Sequence, residues 1–340
     1  MRVSVVMPVY NGGERMRRTI ESVLAQTWND FDLVCIDDGS TDGVSAAILD
    51  EYAARDRRMT VAHQRNQGPC GANNDGIRMC TGEFVVRCDQ DDVMHPQELE
   101  YCARAVQRYN LDFLAFRYGR TSTDGSMPRF EDVLSGIDGI FVCDAASRSR
   151  NSKEYCNSLS RVHTDSWAQF IRRDLALSVP IDKEWGMTRP FKLIRQSRRW
   201  AASRDILYFY NRGVETSMMH QTFTMQNMLW DNEDMRNLFA LYEDVRAAGD
   251  PFGEWETLCR AYVVKRIKSQ LNKIRRKRRR VPHQDTDALF AELAETVREF
   301  FFRRGVPFRY ASLRHQIWYI WLMLRYRSSN RWRGGKNGAP

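Results

Sequence analysis

The first hundred residues carry short unbroken apolar runs, and between the runs apolar positions recur at helical spacing. The runs are residues 3–9 (VSVVMPV), 31–36 (FDLVCI), 59–63 (MTVAH) and 83–88 (EFVVRC). Their length and lack of alternation predict strands buried on both faces. Residues 14–26 place Met16, Ile20, Val23 and Leu24 on one helix face. Further helices are predicted over 44–55, with Thr41 or Asp42 as N-cap, over 69–80, opened by Pro69, and over 96–109. Gly71 and Gly76 weaken the 69–80 helix. Such alternation predicts an α/β fold, a mostly parallel sheet flanked by helices.

Past residue 111 the alternation fades. Residues 111–117, 139–143 and 204–210 read as strands of a mixed continuation, and the polar segment 144–163 reads as loop. From about 221 the spacing is helical, with helices expected over 225–247, 254–275, 285–303 and 310–327. The expected organisation is a domain over 1–220 followed by a helical extension over 221–340.

In an open parallel sheet, ligands bind beyond the carboxyl ends of the strands. Here those ends carry Pro8-Val9-Tyr10-Asn11-Gly12, Asp37-Asp38-Gly39-Ser40-Thr41-Asp42, Gln64-Arg65-Asn66-Gln67-Gly68 and Asp89-Gln90-Asp91-Asp92. One such loop is ordinary turn chemistry; four at one edge predict a binding crevice. No G-x-G-x-x-G follows the first strand and no G-x-x-x-x-G-K-[ST] occurs, so neither a dinucleotide fingerprint nor a P-loop is present. Carboxylates one residue apart can reach a single hard cation, Mg²⁺ or Mn²⁺, which then shares its other positions with water and phosphate. The same carboxylates can instead cap the helix that starts near Pro96. One aspartate suffices for that, and there are three.

The segments VSVVMPVYNGG, FDLVCIDDGSTDG, NQGPCGANNDGI and TGEFVVRCDQDD, in this order over residues 2–108, resemble the N-terminal half of the family 2 glycosyltransferases of GT-A fold. SWAQFIRRDLAL (166–177) and ILYFYNRGVETSMM (206–219) continue the likeness weakly. The resemblance implies inverting transfer of a sugar from a nucleotide diphosphate sugar, most often a UDP-sugar, to an acceptor hydroxyl. It makes 1–108 the donor-binding half and 109–220 the acceptor side. By the same resemblance, Pro8, Val9 and Tyr10 line the base pocket, Asp38 meets the base edge, and Asp37 and Ser40 support that turn. Asn11, Arg65, Asn66, Gly68, Asn74 and Gln90 join the donor-binding set. Asp89 lies near the ribose and shares the metal with Asp91; Asp92 lies beside the sugar or acceptor. Two positions depart from the pattern. An arginine common in A-R-N-x-G is Asn73 here, leaving Arg65, Arg78 or Arg212 to meet the diphosphate. A Glu-Asp pair that supplies the general base is absent after 166–177, leaving Glu184 first and Asp182 second. A nucleotide-sugar-binding protein without catalysis is the alternative.

Charge adds a partner. The net charge is +9, and residues 265–280 (KRIKSQLNKIRRKRRR) hold ten basic residues in sixteen. Trp318, Tyr319, Trp321 and Met323 sit among Arg314, Arg325 and Arg327. These two stretches, 265–280 and 310–327, suit the anionic face of a membrane, or they pack as ordinary helices with a solvated side. The basic run lacks any nucleic-acid recognition pattern, and no nucleic acid is expected as partner. The eight cysteines show no C-x-x-C pair, which suits a reducing compartment. MRVSVVMPVY reads as a first strand rather than a leader, and no run reaches the ~18 apolar residues of a membrane span. The expectation is a cytoplasmic enzyme, peripheral on the inner membrane face, whose acceptor is a surface glycan or lipid-linked glycan. Soluble and protein acceptors stay open.

Overall fold

The structure, a computed structural model, describes residues 1–121, 128–162, 167–182, 188–211, 224–279 and 284–325. The chain divides into two compact units. The first holds 1–220 and 241–254; the second holds 221–240 and 255–340.

The first unit is built on a nine-stranded sheet. Strands β1 (Val3–Val9), β2 (Phe31–Asp37), β3 (Met59–His63) and β4 (Phe84–Arg87) run parallel in the order β3-β2-β1-β4. Helices α1 (Met16–Leu24), α2 (Ser45–Arg55) and α3 (Gly68–Met79) alternate with them. β1 and β2 are buried almost throughout, as continuous apolar runs require. Each fully buried Val or Ile contributes about 1.5–3 kcal/mol, which holds the layer while its edge stays polar. Helix α3 lies close on the sheet because of Gly76. A Cβ there would fall 2.5 Å from Val6 Cγ1, so the residue that lowers helix propensity permits the packing. The N-cap of α2 is Val44 and not Thr41 or Asp42 as expected; Asp42, two residues earlier, still ties the entry to the helix, its Oδ1 accepting from Val44 N at 3.2 Å and Ser45 N at 3.0 Å.

Beyond β4 the sheet is mixed. β5 (Val93–Met94), α4 (Glu98–Tyr109), β6 (Phe113–Arg120), β7 (Val142–Cys143), α5 (Ala145–Arg150), α6 (Ser152–Arg161), β8 (Gln169–Arg172), α7 (Arg173–Ser178), α8 (Arg189–Gln196) and β9 (Trp200–Tyr210) follow. β8 inserts antiparallel between β4 and β6, and β9 pairs with β6, β5 and β7. Two expectations are corrected here. Segment 144–163 holds two helices, not a loop. Asp144 and Ser147 form a capping box, Asn151 caps α6, and Tyr155 and Leu159, one turn apart, are buried. Caps and one pair of apolar residues suffice where overall polarity suggested none. The strand expected over 139–143 shrinks to two residues, because Leu134–Gly139 forms a 3₁₀ turn.

The second unit is helical: α9 (Met225–Leu241), α11 (Glu254–Leu258), α12 (Lys265–Arg278), α13 (Gln284–Val297) and α14 (Leu313–Arg325), with α10 (Glu243–Ala247) lying in the segment that joins the first unit. π-helical turns at Cys259–Val264 and Arg298–Arg303 interrupt helices expected to be continuous. A buried amide joins three helices: Asn232 Nδ2 donates to Glu292 Oε1 and Thr296 Oγ1, and Gln270 Nε2 donates to Asn232 Oδ1. Basic α12 buries Ile267, Leu271 and Ile274, so it is a packed helix with a cationic outer face. Among the described residues no helix is long and apolar enough to cross a membrane.

Candidate active site

The parallel register brings the strand ends level. Val9 pairs with Asp37, Asp37 with His63, and Val6 with Arg87. The ladder then runs on into the loops: Asp38 N donates to Val9 O, Gln64 N to Asp37 O, and Cys88 N to Val6 O. The four polar loops therefore leave the sheet at one edge.

Side chains tie the first two loops together. Asn11 sits at φ +52°, a left-handed conformation that asparagine tolerates. Its Oδ1 accepts from Thr41 N at 2.7 Å and Asp42 N at 3.2 Å, and its backbone N donates to Ser40 Oγ at 3.0 Å. Gly39, at φ +74°, makes the turn, where a Cβ would lie 3.0 Å from Asn66 N. Asp37 is buried and accepts from Ser40 N at 3.0 Å, while His63 Nδ1 lies 2.8 Å from its other oxygen. Burial pushes the Asp37 carboxyl up, but the bonds from Ser40 and His63 together outweigh it and hold it below the usual range. His63 is raised in return by Asp37, and then by Asp50 at 3.0 Å from its Nε2. Asp38 is buried and oriented by Gln64 Nε2 at 2.7 Å and Gln67 N at 2.8 Å, both donating to Oδ1. Gly68 N caps back to Asn66 Oδ1 at 3.2 Å. Tyr10 stands 46% exposed, leaving a ring face open at the rim.

The acidic loop is pinned from two directions. Thr19 Oγ1, on α1, donates to Gln90 O at 3.0 Å and Asp92 O at 2.8 Å. From β9, Tyr208 Oη donates to Asp92 Oδ2 at 2.6 Å and accepts from Asp89 N at 3.0 Å, and Asn211 N donates to Asp92 Oδ1 at 2.7 Å. Asp92 is fully buried with both oxygens engaged, so it braces the loop and does not stand at its surface beside a sugar. Asp89 Oδ1 lies 2.5 Å from Arg87 Nη2. Asp91 is half-buried, and burial, then the neighbouring Asp89 charge, push its carboxyl up to about 6. Burial, then Asp89 and Asp91, push Asp92 well up too. Packing these carboxyl groups together is costly without a cation, and hard oxygen donors fit Mg²⁺ or Mn²⁺. Among the described residues no three His, Cys, Asp or Glu side chains form a cage. A cation would thus be held at one or two carboxylates, with positions left for water and phosphate.

The remaining expected residues scatter. Pro8 is half-buried; Val9 lies in the core and contributes only its carbonyl here. Asn73 is buried, its Nδ2 donating to Pro69 O at 2.7 Å. Asn74 forms a reciprocal amide pair with Ile181, at 2.8 and 2.9 Å, and is a tie between segments. Arg65 is exposed, and Arg78 pairs with Asp75. Asp182 is exposed and lies 3.4 Å from Lys192 Nζ. Glu184 and Arg212 lie outside the described residues. Sequence reasoning missed Thr19, His63, Arg87 and Tyr208. Only Tyr208, in the ILYFYNRG stretch, carried any signal.

The model of the family described as Glycosyl transferase family 2 matches residues 4–176. Poly(ribitol-phosphate) beta-N-acetylglucosaminyltransferase TarP of Staphylococcus aureus (strain N315) is 34% identical over 132 residues, which is 38% of this chain and 40% of TarP. The segments matched in the first curated relatives span only 19% to 22% of their length. Among solved structures, S. aureus TarS 1–349 in complex with UDP-GlcNAc superposes with a TM-score of 0.66 at 17% identity, covering 96% of this chain and 88% of that one. The mannosyltransferase PcManGT of Pyrobaculum calidifontis, in complex with GDP-Man and Mn²⁺, superposes with a TM-score of 0.50 at 15% identity, covering 96% and 86%.

Proposed function

The chain belongs to glycosyl transferase family 2, and from that membership we propose that it transfers a sugar from a nucleotide diphosphate sugar to an acceptor hydroxyl, with inversion. The observation that carries this is the convergence of Tyr10, Asp38, Asp89 and Asp91 at one edge of a parallel sheet. Tyr10 offers an aromatic face to the base. Asp38, oriented by Gln64 and Gln67, accepts from the base edge. Asp89 and Asp91 are the residues that would hold Mg²⁺ or Mn²⁺, and a cation bound there would neutralise charge building on the diphosphate leaving group. Asp92 keeps both carboxylates in place through Tyr208 and Asn211. A carboxylate takes the acceptor's proton as its oxygen attacks the anomeric carbon, and Glu184, then Asp182, are the residues proposed for it. Aligning donor and acceptor supplies much of the rest.

The donor is proposed to be a UDP-sugar; the UDP-GlcNAc bound to TarS supports it. The acceptor is proposed to be a surface or lipid-linked glycan, in keeping with the poly(ribitol-phosphate) in the name of TarP. The helical unit is proposed to meet an anionic membrane surface. α12 is cationic outside, and α14 exposes Leu313, Ile317, Ile320, Trp321 and Leu324. Calorimetry with UDP and GDP, with and without Mn²⁺, tests the site; absence of metal-dependent binding would overturn the reading. Donor hydrolysis equal in wild type and Asp91→Ala would remove the metal role. Activity surviving in both Glu184→Gln and Asp182→Asn would remove both bases.

A further inference from the structure

On the α3 face of the sheet, Val6 of β1, Val85 of β4 and Ile77 of α3 wall a small cavity. Its polar lining includes Asn73, Arg87 and Arg189. Arg189, at the start of α8, is 6% exposed. Its Nε donates to Val179 O at 3.0 Å, but its Nη2 is buried without a hydrogen-bond partner. Asn73 Oδ1, in the same cavity, also has none. The cation beside Arg189 is Arg87, of like charge, whose own ion pair is with Asp89 of the acidic loop. Among the described residues the acid that acts on Arg189 is Asp182, which is exposed and lies 3.4 Å from Lys192. Burial, then Arg87, push the Arg189 guanidinium down to about 10. A buried cation without a balancing anion is costly, and among the described residues Arg189 has none in its cavity; Arg87, which lines the same cavity, pairs with Asp89 of the acidic loop.

We infer that Arg189 is a donor-binding residue whose free Nη2 receives a phosphate oxygen of the nucleotide diphosphate. This rests on the nucleotide-sugar reading above and deepens it. It also relocates the cation sought for the diphosphate. Arg65 is exposed on the third loop and Arg78 is committed to Asp75, whereas Arg189 shares a cavity with Asn73. Arginine suits the role because its planar fork matches phosphate oxygens and it holds its charge when desolvated. The competing arrangement is a buried water bridging Arg189 Nη2 and Asn73 Oδ1.

Calorimetry of UDP and of uridine, in the presence of Mn²⁺, separates the two. With Arg189→Gln the affinity for UDP is expected to fall about tenfold to a hundredfold, the range of one charge-assisted contact, while that for uridine stays unchanged. Inorganic pyrophosphate should compete with UDP in the wild type and correspondingly less in the variant. If Arg189→Gln does not fold, Arg189→Lys keeps the charge but loses the fork, and a severalfold loss for UDP alone is expected. Unchanged UDP affinity in the folded variant, or equal loss for UDP and uridine, overturns the inference and favours the bridging water. Wild type that binds neither UDP nor GDP overturns the donor reading itself, a distinct result.

Discussion

Gln90 and Tyr10 clasp each other: Tyr10 N donates to Gln90 Oε1 at 2.9 Å, and Gln90 Nε2 donates to Tyr10 O at 3.1 Å. A residue flanked by two candidate metal carboxylates thereby sets the backbone of the residue proposed to meet the base. Gln90→Ala should free Tyr10 and weaken UDP binding severalfold, about 1 kcal/mol for two partly exposed bonds. Gln90→Glu keeps an acceptor for Tyr10 N but loses the donor to Tyr10 O, so an intermediate loss is expected. Calorimetry reads both; a Gln90→Ala affinity equal to wild type would show that the clasp does not order the site.

Asp92 is a brace, and its loss should register as stability. Asp92→Ala strands the Tyr208 hydroxyl and the Asn211 amide in the interior, at a cost of about 2–4 kcal/mol. Urea unfolding measures it. Tyr208→Phe removes one of the two donors and should cost less. Full stability in Asp92→Ala with lost activity would instead favour direct contact with substrate.

His63 gives the loop-bearing sheet edge a pH dependence. Its pKa is raised in the fold, first by Asp37 and then by Asp50. Its contribution is therefore complete below the ordinary histidine value of about 6.5 and fades as pH rises through the folded value. Asp37 is held low, so its contribution is present above the ordinary aspartate value and is lost as pH falls through the folded one. The latch is strongest between these limits. Melting curves of wild type and His63→Gln should differ most at mildly acidic pH and converge in alkali. The His63 side chain is 44% exposed, so the difference should be small and should shrink with salt. A gap that widens with rising pH would refute the assignment.

The outer face of α14 carries its own test. Wild type should float with vesicles containing phosphatidylglycerol and not with neutral phosphatidylcholine, since basic residues near the surface contribute about 1 kcal/mol each. Ile317→Asp with Trp321→Asp should abolish flotation without changing UDP affinity. Failure of the wild type to float removes the membrane proposal.

Much of the loop-bearing sheet edge was legible because its information is local. Continuous apolar runs announce strands buried on both faces, so β1, β2 and β3 were expected within a residue of where they lie, and the loops after them follow. Gly39 at positive φ and Asp42, which bonds Val44 N and Ser45 N, are turn residues whose chemistry needs only their neighbours. Helices α5 and α6 were illegible because two caps and two apolar residues decided against a polar composition.

The sequence by itself determined that four polar loops leave one sheet edge, since strand period and strand–helix alternation act over a few residues. Only the tertiary structure decided which carboxylate is buried as a brace. Asp89, Asp91 and Asp92 are alike by type, but β9 returns more than a hundred positions later, and it is the Asp92 carboxylate that accepts from Tyr208 and Asn211. It likewise brought Arg189 into the cavity of Asn73 across more than a hundred residues of chain. Such pairings depend on how strands from separate parts of the chain stack, and no local pattern records that.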